Sequence, residues 1–209
     1  MADIFALFQQ IKSSTPSPRG PVTHLVVGLG NPGAQYEGTR HNVGFLCLDA
    51  IADTIGVRVN TAKFQALVGD GEISGKHVFL MKPQTFMNLS GEAVRAAADF
   101  YKIPAENIIV ICDDVSFDPG MFRIRMKGSH GGHNGLRSIE GCLGSSAYAR
   151  VKVGVGKKPH PDYDLADWVL GKQPKEDLEK TRVLARDVCE AIKLILAGKH
   201  EDAMAKYSH

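Results

Sequence analysis

The sequence predicts a single α/β domain in which helices flank an open β-sheet. Two short apolar runs rich in β-branched residues, His24 to Leu29 and Ile108 to Cys112, are typical of strands buried inside a parallel sheet. Stretches with apolar residues at helical spacing lie between and after these runs. The chain has 209 residues, 44% of them apolar and 23% charged, which is enough for one sizeable hydrophobic core.

The composition narrows the class of protein. A formal net charge of +2 does not by itself indicate a nucleic-acid-binding protein, so that function depends on where the basic residues cluster. No run reaches the ~18 apolar residues of a membrane helix, and the first residues lack the pattern of a signal peptide. We therefore expect a cytoplasmic protein with no membrane partner.

Four cysteines far apart, without a CxxC pair, predict buried free thiols: Cys47, Cys112, Cys142 and Cys189.

Residues 1–21 are predicted to be an N-terminal extension and linker, and residues 22–209 to be the α/β domain. The extension is predicted to begin with a short amphipathic helix over residues 4–11, after which SSTPSPRGP has the composition of a linker. Chain termini are usually poorly tied down, so we interpret this segment as an appendage. Its apolar face consists of Ile4, Phe5, Leu7, Phe8 and Ile11.

The first half of the domain continues with a helix and a hairpin. The helix is predicted from Val43 to Ile55, with Asn42 as its cap and Gly56 as its stop. Two alternating segments, Ala66 to Ile73 and Lys76 to Met81, are separated by a two-residue turn and predict a β-hairpin.

Three further helices are predicted in the rest of the chain. The first starts near Asn88 or Ser90, either of which can cap it, and it precedes the strand at Ile108. Two more are predicted from Leu136 to Leu143 and from Leu178 to Leu196, the second being the longest.

Two strands carry basic residues at every second position. In MFRIRMKG, Arg123, Arg125 and Lys127 alternate with apolar residues, which places all three charges on one face of a strand. Arg150 and Lys152 alternate with valines in the same way. These faces are either simply solvated or a footprint for phosphates, and the glycine-rich GSHGGHNG loop between them favours the phosphate interpretation.

The most informative stretch is HLVVGLGNPGAQYEGTRHNVG, residues 24–44. His41 is a candidate general base, provided that a carboxylate fixes its tautomer, and Asp113, Asp114 and Asp118 all compete for that role. The chain has no GxSxG motif, so a water nucleophile is expected. Three asparagines next to predicted strands or helices are either helix caps or donors to an oxyanion: Asn31, Asn88 and Asn134.

Two motifs point elsewhere and are rejected on context. Gly28, Gly30 and Gly33 form a GxGxxG, but no helix pattern follows at once and no acidic residue ends a second strand. His130 and His133 stand three residues apart, but no third ligand has suitable spacing. We therefore expect neither a nucleotide cofactor nor a metal.

Taken together, the motifs resemble the bacterial-type peptidyl-tRNA hydrolase family. The matching elements are GLGNPG with YEGTRHNVG, KPQTFMNLSG, DDVSFDPG and SHGGHNGLRS, in the family's order and spacing, from about Leu25 to Leu196. The resemblance implies a single α/β domain around a twisted, mixed and mostly parallel β-sheet. It also implies a monomeric enzyme without metal, cofactor or obligate protein partner. Such enzymes cleave the ester between a peptide and the 3′-terminal ribose of tRNA.

The resemblance also assigns residue roles. His41 matches the general base, Asp113 the residue that stabilises its protonated form, and Asn31 the residue that helps to distinguish N-blocked from free aminoacyl-tRNA. Lys152 stands where an arginine is common, which keeps the charge but loses the bidentate geometry of a guanidinium. The remaining matched positions are Tyr36, Phe86, Asn88 and Asn134 for the substrate, and Arg125 with Lys152 for the phosphates of tRNA.

Two other functions are weighed against this one. A non-catalytic RNA-binding protein on the same fold would use the basic strands, but it would have no need of His41, Asp113 and the three asparagines. A nucleotide-dependent oxidoreductase would rest on the GxGxxG motif alone.

Overall fold

The computed structural model describes residues 20–208 as one seven-stranded β-sheet with six α-helices. The predicted helix over residues 4–11 lies outside the described residues. The strands are β1 (His24–Gly28), β2 (Thr61–Lys63), β3 (Ala66–Ile73), β4 (Lys76–Pro83), β5 (Ile108–Asp114), β6 (Phe122–Arg125) and β7 (Ala149–Gly154). The helices are α1 (Val43–Thr54), α2 (Ser90–Tyr101), α3 (Asn134–Leu143), α4 (Leu165–Leu170), α5 (Lys175–Leu196) and α6 (His200–Tyr207).

The sheet has the strand order β2-β3-β4-β1-β5-β7-β6. Its four central strands, β4, β1, β5 and β7, are parallel to one another. The outer strands pair antiparallel, β3 with β4, β2 with β3, and β6 with β7. The predicted α/β class with a mixed, mostly parallel sheet is therefore confirmed, and the carboxyl ends of the four central strands meet at one edge.

Helices cover both faces of this sheet. On one face, Leu48 of α1 and Val188 of α5 belong to a buried cluster that also includes α6. On the other face, Val94 of α2 and Leu136 of α3 belong to a second cluster. The central strands are buried on both faces, which explains their nearly continuous apolar sequences.

The sequence patterns located most of these elements but missed the shortest ones. The predicted β1, hairpin, β5 and four main helices are confirmed, although α5 begins at Lys175 rather than Leu178 and β4 continues through Pro83. β2, α4 and α6 were not predicted, because three to eight residues give too little periodicity to recognise.

The predicted side-chain caps of α1 and α2 are wrong. Asn42 makes no capping hydrogen bond, because its side chain pairs with the backbone of Asn31 instead. The cap position of α2 is Leu89, and the Ser90 hydroxyl donates to the carbonyl of Met87. Both helices continue directly from a 3₁₀ turn, Arg40–Asn42 or Met87–Leu89, so neither has the extended residue that a side-chain cap requires.

The predicted second basic face is wrong at Arg150. This side chain is only 1% exposed, and its guanidinium donates to the carbonyls of Ser146, Tyr148 and Gly128. Because Gly128 belongs to the loop between β6 and α3, Arg150 anchors that loop over the sheet. Period-two spacing predicts the face of the strand on which Arg150 lies, but it does not show that a loop covers this side chain.

The glycines of the GxGxxG motif shape a packing contact instead of a cofactor site. A Cβ on Gly28 would lie 2.3 Å from the carbonyl oxygen of Gly44, so glycine allows α1 to approach β1 closely. Gly33 has a φ of 110° and leads into a short 3₁₀ turn, Ala34–Tyr36, and the first α-helix begins only at Val43. This geometry lacks the helix that should start at the third glycine of a dinucleotide fingerprint.

The four cysteines are free, as predicted, and Cys142 is the only partly exposed one among them. Burial raises the pKa of the Cys47 thiol to about 12, which keeps it neutral. Across residues 20–208, no helix has both the length and the hydropathy needed to span a membrane.

Candidate active site

A cleft of about 600 Å³ lies at the edge where the central strands end. Asn31 follows β1, Asn88 follows β4, and Asp113 with Asp114 ends β5; all four line the cleft. Open α/β sheets bind ligands at this edge, so the position agrees with the general rule. The strand ends therefore bring together polar residues that are far apart in sequence.

His41 and Asp113 form a buried pair in this cleft. His41 Nδ1 lies 2.7 Å from Asp113 Oδ1, and the two side chains are 10% and 4% exposed. A carboxylate can only accept, so Nδ1 carries the proton of the neutral imidazole and Nε2 is left as a base. Among residues 20–208, Nε2 has no hydrogen-bond partner.

The neighbouring Arg40 fixes the turn that carries His41. Its guanidinium donates to the carbonyls of Trp168, Gly171 and Lys172 at 3.2–3.3 Å, and it stacks 3.4 Å from the centre of the Trp168 ring. These contacts join the turn to the end of α4, which forms an apolar wall of the cleft. That wall consists of Leu165, Ala166, Val169 and Leu170.

A second histidine, His133, contacts the same carboxylate oxygen. Its Nε2 lies 3.0 Å from Asp113 Oδ1, and the centres of the His41 and His133 rings are 5.0 Å apart. His133 is also the N-cap of α3, where its Nδ1 accepts hydrogen bonds from the backbone of Gly135 and Leu136. Sequence reasoning considered this residue only as a metal ligand and missed its contact with Asp113.

These contacts decide the charge of the two neighbouring aspartates. Burial by itself raises the pKa of Asp113, but the charges and hydrogen bonds of His133 and His41 outweigh it and hold the pKa below its ordinary value. Asp114 instead binds Lys152 Nζ at 2.6 Å and the N–H of Ser116 at 2.8 Å. Burial opposes ionisation there too, yet these two partners lower the pKa of Asp114.

Only one of the three candidate carboxylates meets His41. Asp114 is turned towards Lys152, and Asp118 is exposed in the turn after β5 and does not line the cleft. Asp113 is therefore the carboxylate that can orient the imidazole.

Asn31 is held in a defined orientation. Its Oδ1 accepts the N–H of Met87 at 2.8 Å, and the Asn42 side chain binds its backbone N–H and carbonyl. An amide nitrogen can only donate, so the atom that faces the N–H of Met87 must be Oδ1. Nδ2 is therefore the atom that remains for the cleft. Nδ2 has no partner among the described residues, so it stays available as a donor.

The outer part of the cleft presents aromatic and amide side chains. The rings of Tyr36 and Phe86 meet edge to face with centres 6.4 Å apart, and Phe86 is 54% exposed. Asn88 and Asn134 line the same cleft. Arg125 does not line it and lies on β6, the edge strand.

Comparisons with known proteins agree with this geometry. The family model described as peptidyl-tRNA hydrolase matches residues 25–209. The chain belongs to the peptidyl-tRNA hydrolase family. The peptidyl-tRNA hydrolase of Lachnospira eligens is 49% identical over 185 residues, covering 88% of this chain and 99% of that protein. The protein of the same name from Agathobacter rectalis is 48% identical over 186 residues, covering 88% of this chain and all of that protein.

A solved structure supports the same conclusion. The crystal structure of peptidyl-tRNA hydrolase from Acinetobacter baumannii has a TM-score of 0.82 and 34% identity, and the match covers 92% of this chain and 99% of that one. Membership of this family makes the chain a hydrolase, as the sequence predicted. The predicted monomeric state and cytoplasmic location stay predictions.

For a member of this family, the cluster around Asp113 raises the question of a metal. His41, Asp113 and His133 each offer one ligand atom, and these atoms lie within 4.8 Å of one another. In the structure, however, Nδ1 of His41 and Nε2 of His133 are both directed at Oδ1 of Asp113. His130, the other histidine of the pair that the sequence analysis rejected as a metal motif, accepts the N–H of Gly132.

Proposed function

We propose that this chain hydrolyses the ester between a peptide, or an N-blocked amino acid, and the 3′-terminal ribose of tRNA. The reaction recycles tRNA from prematurely released peptidyl-tRNA. The observation that carries the proposal is the His41–Asp113 pair, whose unpartnered Nε2 faces a cleft in a chain of the peptidyl-tRNA hydrolase family.

In the proposed mechanism, His41 acts as a general base on water. Nε2 takes a proton as the water oxygen attacks the ester carbonyl, and the imidazolium that forms is stabilised by Asp113. The resulting oxyanion accepts hydrogen bonds from amide donors, among them Nδ2 of Asn31, whose side chain is held by the N–H of Met87. The tetrahedral intermediate then collapses, the ester C–O bond breaks, and the imidazolium returns the proton to the leaving ribose oxygen.

The cleft also suggests how the substrate is held. The apolar wall of α4 and the exposed ring of Phe86 suit the side chains of a peptide. Tyr36, Asn88 and Asn134 supply hydrogen-bonding groups along the same cleft. Asn31 is proposed to favour an N-blocked substrate, because the amide group of such a substrate can accept from Nδ2.

The proposed site for tRNA phosphates lies on β6 and β7. The strand register places Arg123 opposite Lys152, so like charges face each other across the pair, and Arg125 lies opposite the buried Arg150. Such an arrangement is destabilising unless an anion compensates it. Among the described residues, Asp114 is the carboxylate that pairs with one of these four cations, through Lys152.

The function is tested by following loss of the ester with two substrates. N-acetyl-aminoacyl-tRNA should be hydrolysed, and free aminoacyl-tRNA should react far more slowly. Loss of neither ester would contradict the proposal. If the protein then still bound tRNA, a non-catalytic RNA-binding protein would replace it.

The phosphate site is tested separately through salt dependence. Arg125→Ala and Lys152→Ala should each weaken tRNA binding and reduce the slope of log K against log salt concentration by about one unit, since each removes roughly one phosphate contact. Lys152→Arg should retain the slope. Lys76→Ala is the matched control, because Lys76 is exposed at the amino end of β4, away from the strand ends that form the cleft. Slopes equal to that of the parent in both alanine variants would move the phosphate site elsewhere.

A further inference from the structure

We propose that His133 is a positioning residue for this hydrolysis, locked by the amino end of α3 in its Nε2–H tautomer so that it always donates to Asp113. Its role in the reaction rests on the proposed function, whereas its tautomer follows from the hydrogen bonds alone. The two histidines would then be opposite tautomers that donate to the same carboxylate oxygen, His41 through Nδ1–H and His133 through Nε2–H.

The amino end of α3 determines where the proton of His133 lies. Its Nδ1 faces the backbone N–H groups of Gly135 at 3.1 Å and Leu136 at 3.3 Å. Backbone N–H groups can only donate, so Nδ1 must be unprotonated, and the single proton of a neutral imidazole sits on Nε2. That nitrogen lies 3.0 Å from Asp113 Oδ1, in position to donate.

The same contacts oppose a positive charge on His133. A proton added to Nδ1 would point at two N–H donors, and the positive end of the helix dipole disfavours a cation there. Gly135 also holds the ring closely, because a Cβ at that position would lie 3.2 Å from His133 Cε1. These contacts therefore favour the neutral Nε2–H form of His133.

The other titratable groups around Asp113 have separate partners. Asp114 pairs with Lys152, and His130 Nδ1 accepts the N–H of Gly132. Burial raises the pKa of the neighbouring Cys112 thiol, which keeps that group uncharged. The balance of charge at Asp113 is thus set by the two histidines.

This arrangement gives His133 a function that a simple cap would not have. Short side chains such as Ser, Asp or Asn cap helices well, but they do not reach from the cap position to Asp113. By donating to Oδ1, His133 fixes the carboxylate and takes up part of its negative charge. It therefore limits how strongly Asp113 stabilises the protonated form of His41.

The tautomers are tested directly by ¹⁵N NMR of the histidine rings in the full-length protein, between about pH 5.5 and 8.5. We expect His133 to show an unprotonated Nδ1 and a protonated Nε2, and His41 to show the opposite tautomer. Finding Nδ1–H on His133 would overturn the proposal. This result does not depend on whether the chain hydrolyses peptidyl-tRNA.

The positioning role is tested with His133→Asn, which keeps a cap for α3 but loses the donor to Asp113. We expect kcat to fall about tenfold, as for loss of a hydrogen bond to a charged group. The acid limb of the kcat profile should also move to higher pH, with little change in Tm. An unchanged acid limb would overturn the role, because a merely structural residue lowers activity without moving it. His133→Ala, which loses both functions, should also lower Tm.

Discussion

Replacing His41 by alanine is expected to lower kcat for N-acetyl-aminoacyl-tRNA by about 10²–10⁴, which is the usual contribution of a general base. The imidazole of His41 keeps Nε2 free, and its orientation is already fixed by Asp113 and the Arg40–Asn42 turn. Binding of tRNA should be almost unchanged, because the proposed phosphate contacts lie on β6 and β7.

The measurement is single-turnover ester cleavage, accompanied by a tRNA titration and a thermal melt. His200→Ala is the matched control, since His200 is exposed on α6 and does not line the cleft. A His41→Ala variant that cleaves the ester at near the parent rate would show that His41 is not the base.

The sequence located the strand ends, and with them most of the site. Asn31, Asn88 and Asp113 follow buried apolar runs, and the rule that ligands bind at the carboxyl ends of parallel strands placed them at one edge. Choosing Asp113 over Asp114 and Asp118 needed the family resemblance. The three carboxylates differ only in where their side chains point, and spacing along the chain does not contain that information.

His133 shows what local patterns cannot provide. It contacts Gly135 and Leu136, which are near it in sequence at the amino end of α3, and Asp113, which is twenty positions away. The nearby His130 made the pair look like a possible metal motif. A histidine directly before a predicted helix start was the available signal, since an imidazole nitrogen can accept the first N–H groups.

The predictions made for Arg150 and Asn42 were wrong for a related reason. Alternation correctly put Arg150 on the face of β7 away from the valines, but it could not show that the loop at Gly128 covers that face. Asn42 stands where a cap is expected, yet its amide bonds to Asn31, eleven residues earlier. At Asn42 a tertiary contact outweighs a capping preference of about 1 kcal/mol.

Replacing Asp113 by asparagine is expected to lower kcat by up to about 10⁴, by removing the charge that orients His41 and stabilises its protonated form. The parent carboxylate is ionised at neutral pH, because its two histidine partners hold its pKa below the ordinary value. The acid limb of the kcat profile is the loss of activity that follows when a general base is protonated. Without the negative charge the imidazolium is less stable, so in Asp113→Asn this limb should move to lower pH.

This shift to lower pH is opposite to the shift expected for His133→Asn. The two directions therefore distinguish loss of the Asp113 carboxylate from loss of the hydrogen bond that His133 donates to it. Asp118→Asn is the matched control, because Asp118 is exposed in the turn after β5 and should leave both rate and profile unchanged. The pH dependence of kcat should be measured for all three variants with one substrate. If Asp113→Asn keeps the parent rate, or shifts the limb to higher pH, then Asp113 does not stabilise the protonated base and the assigned pair is wrong.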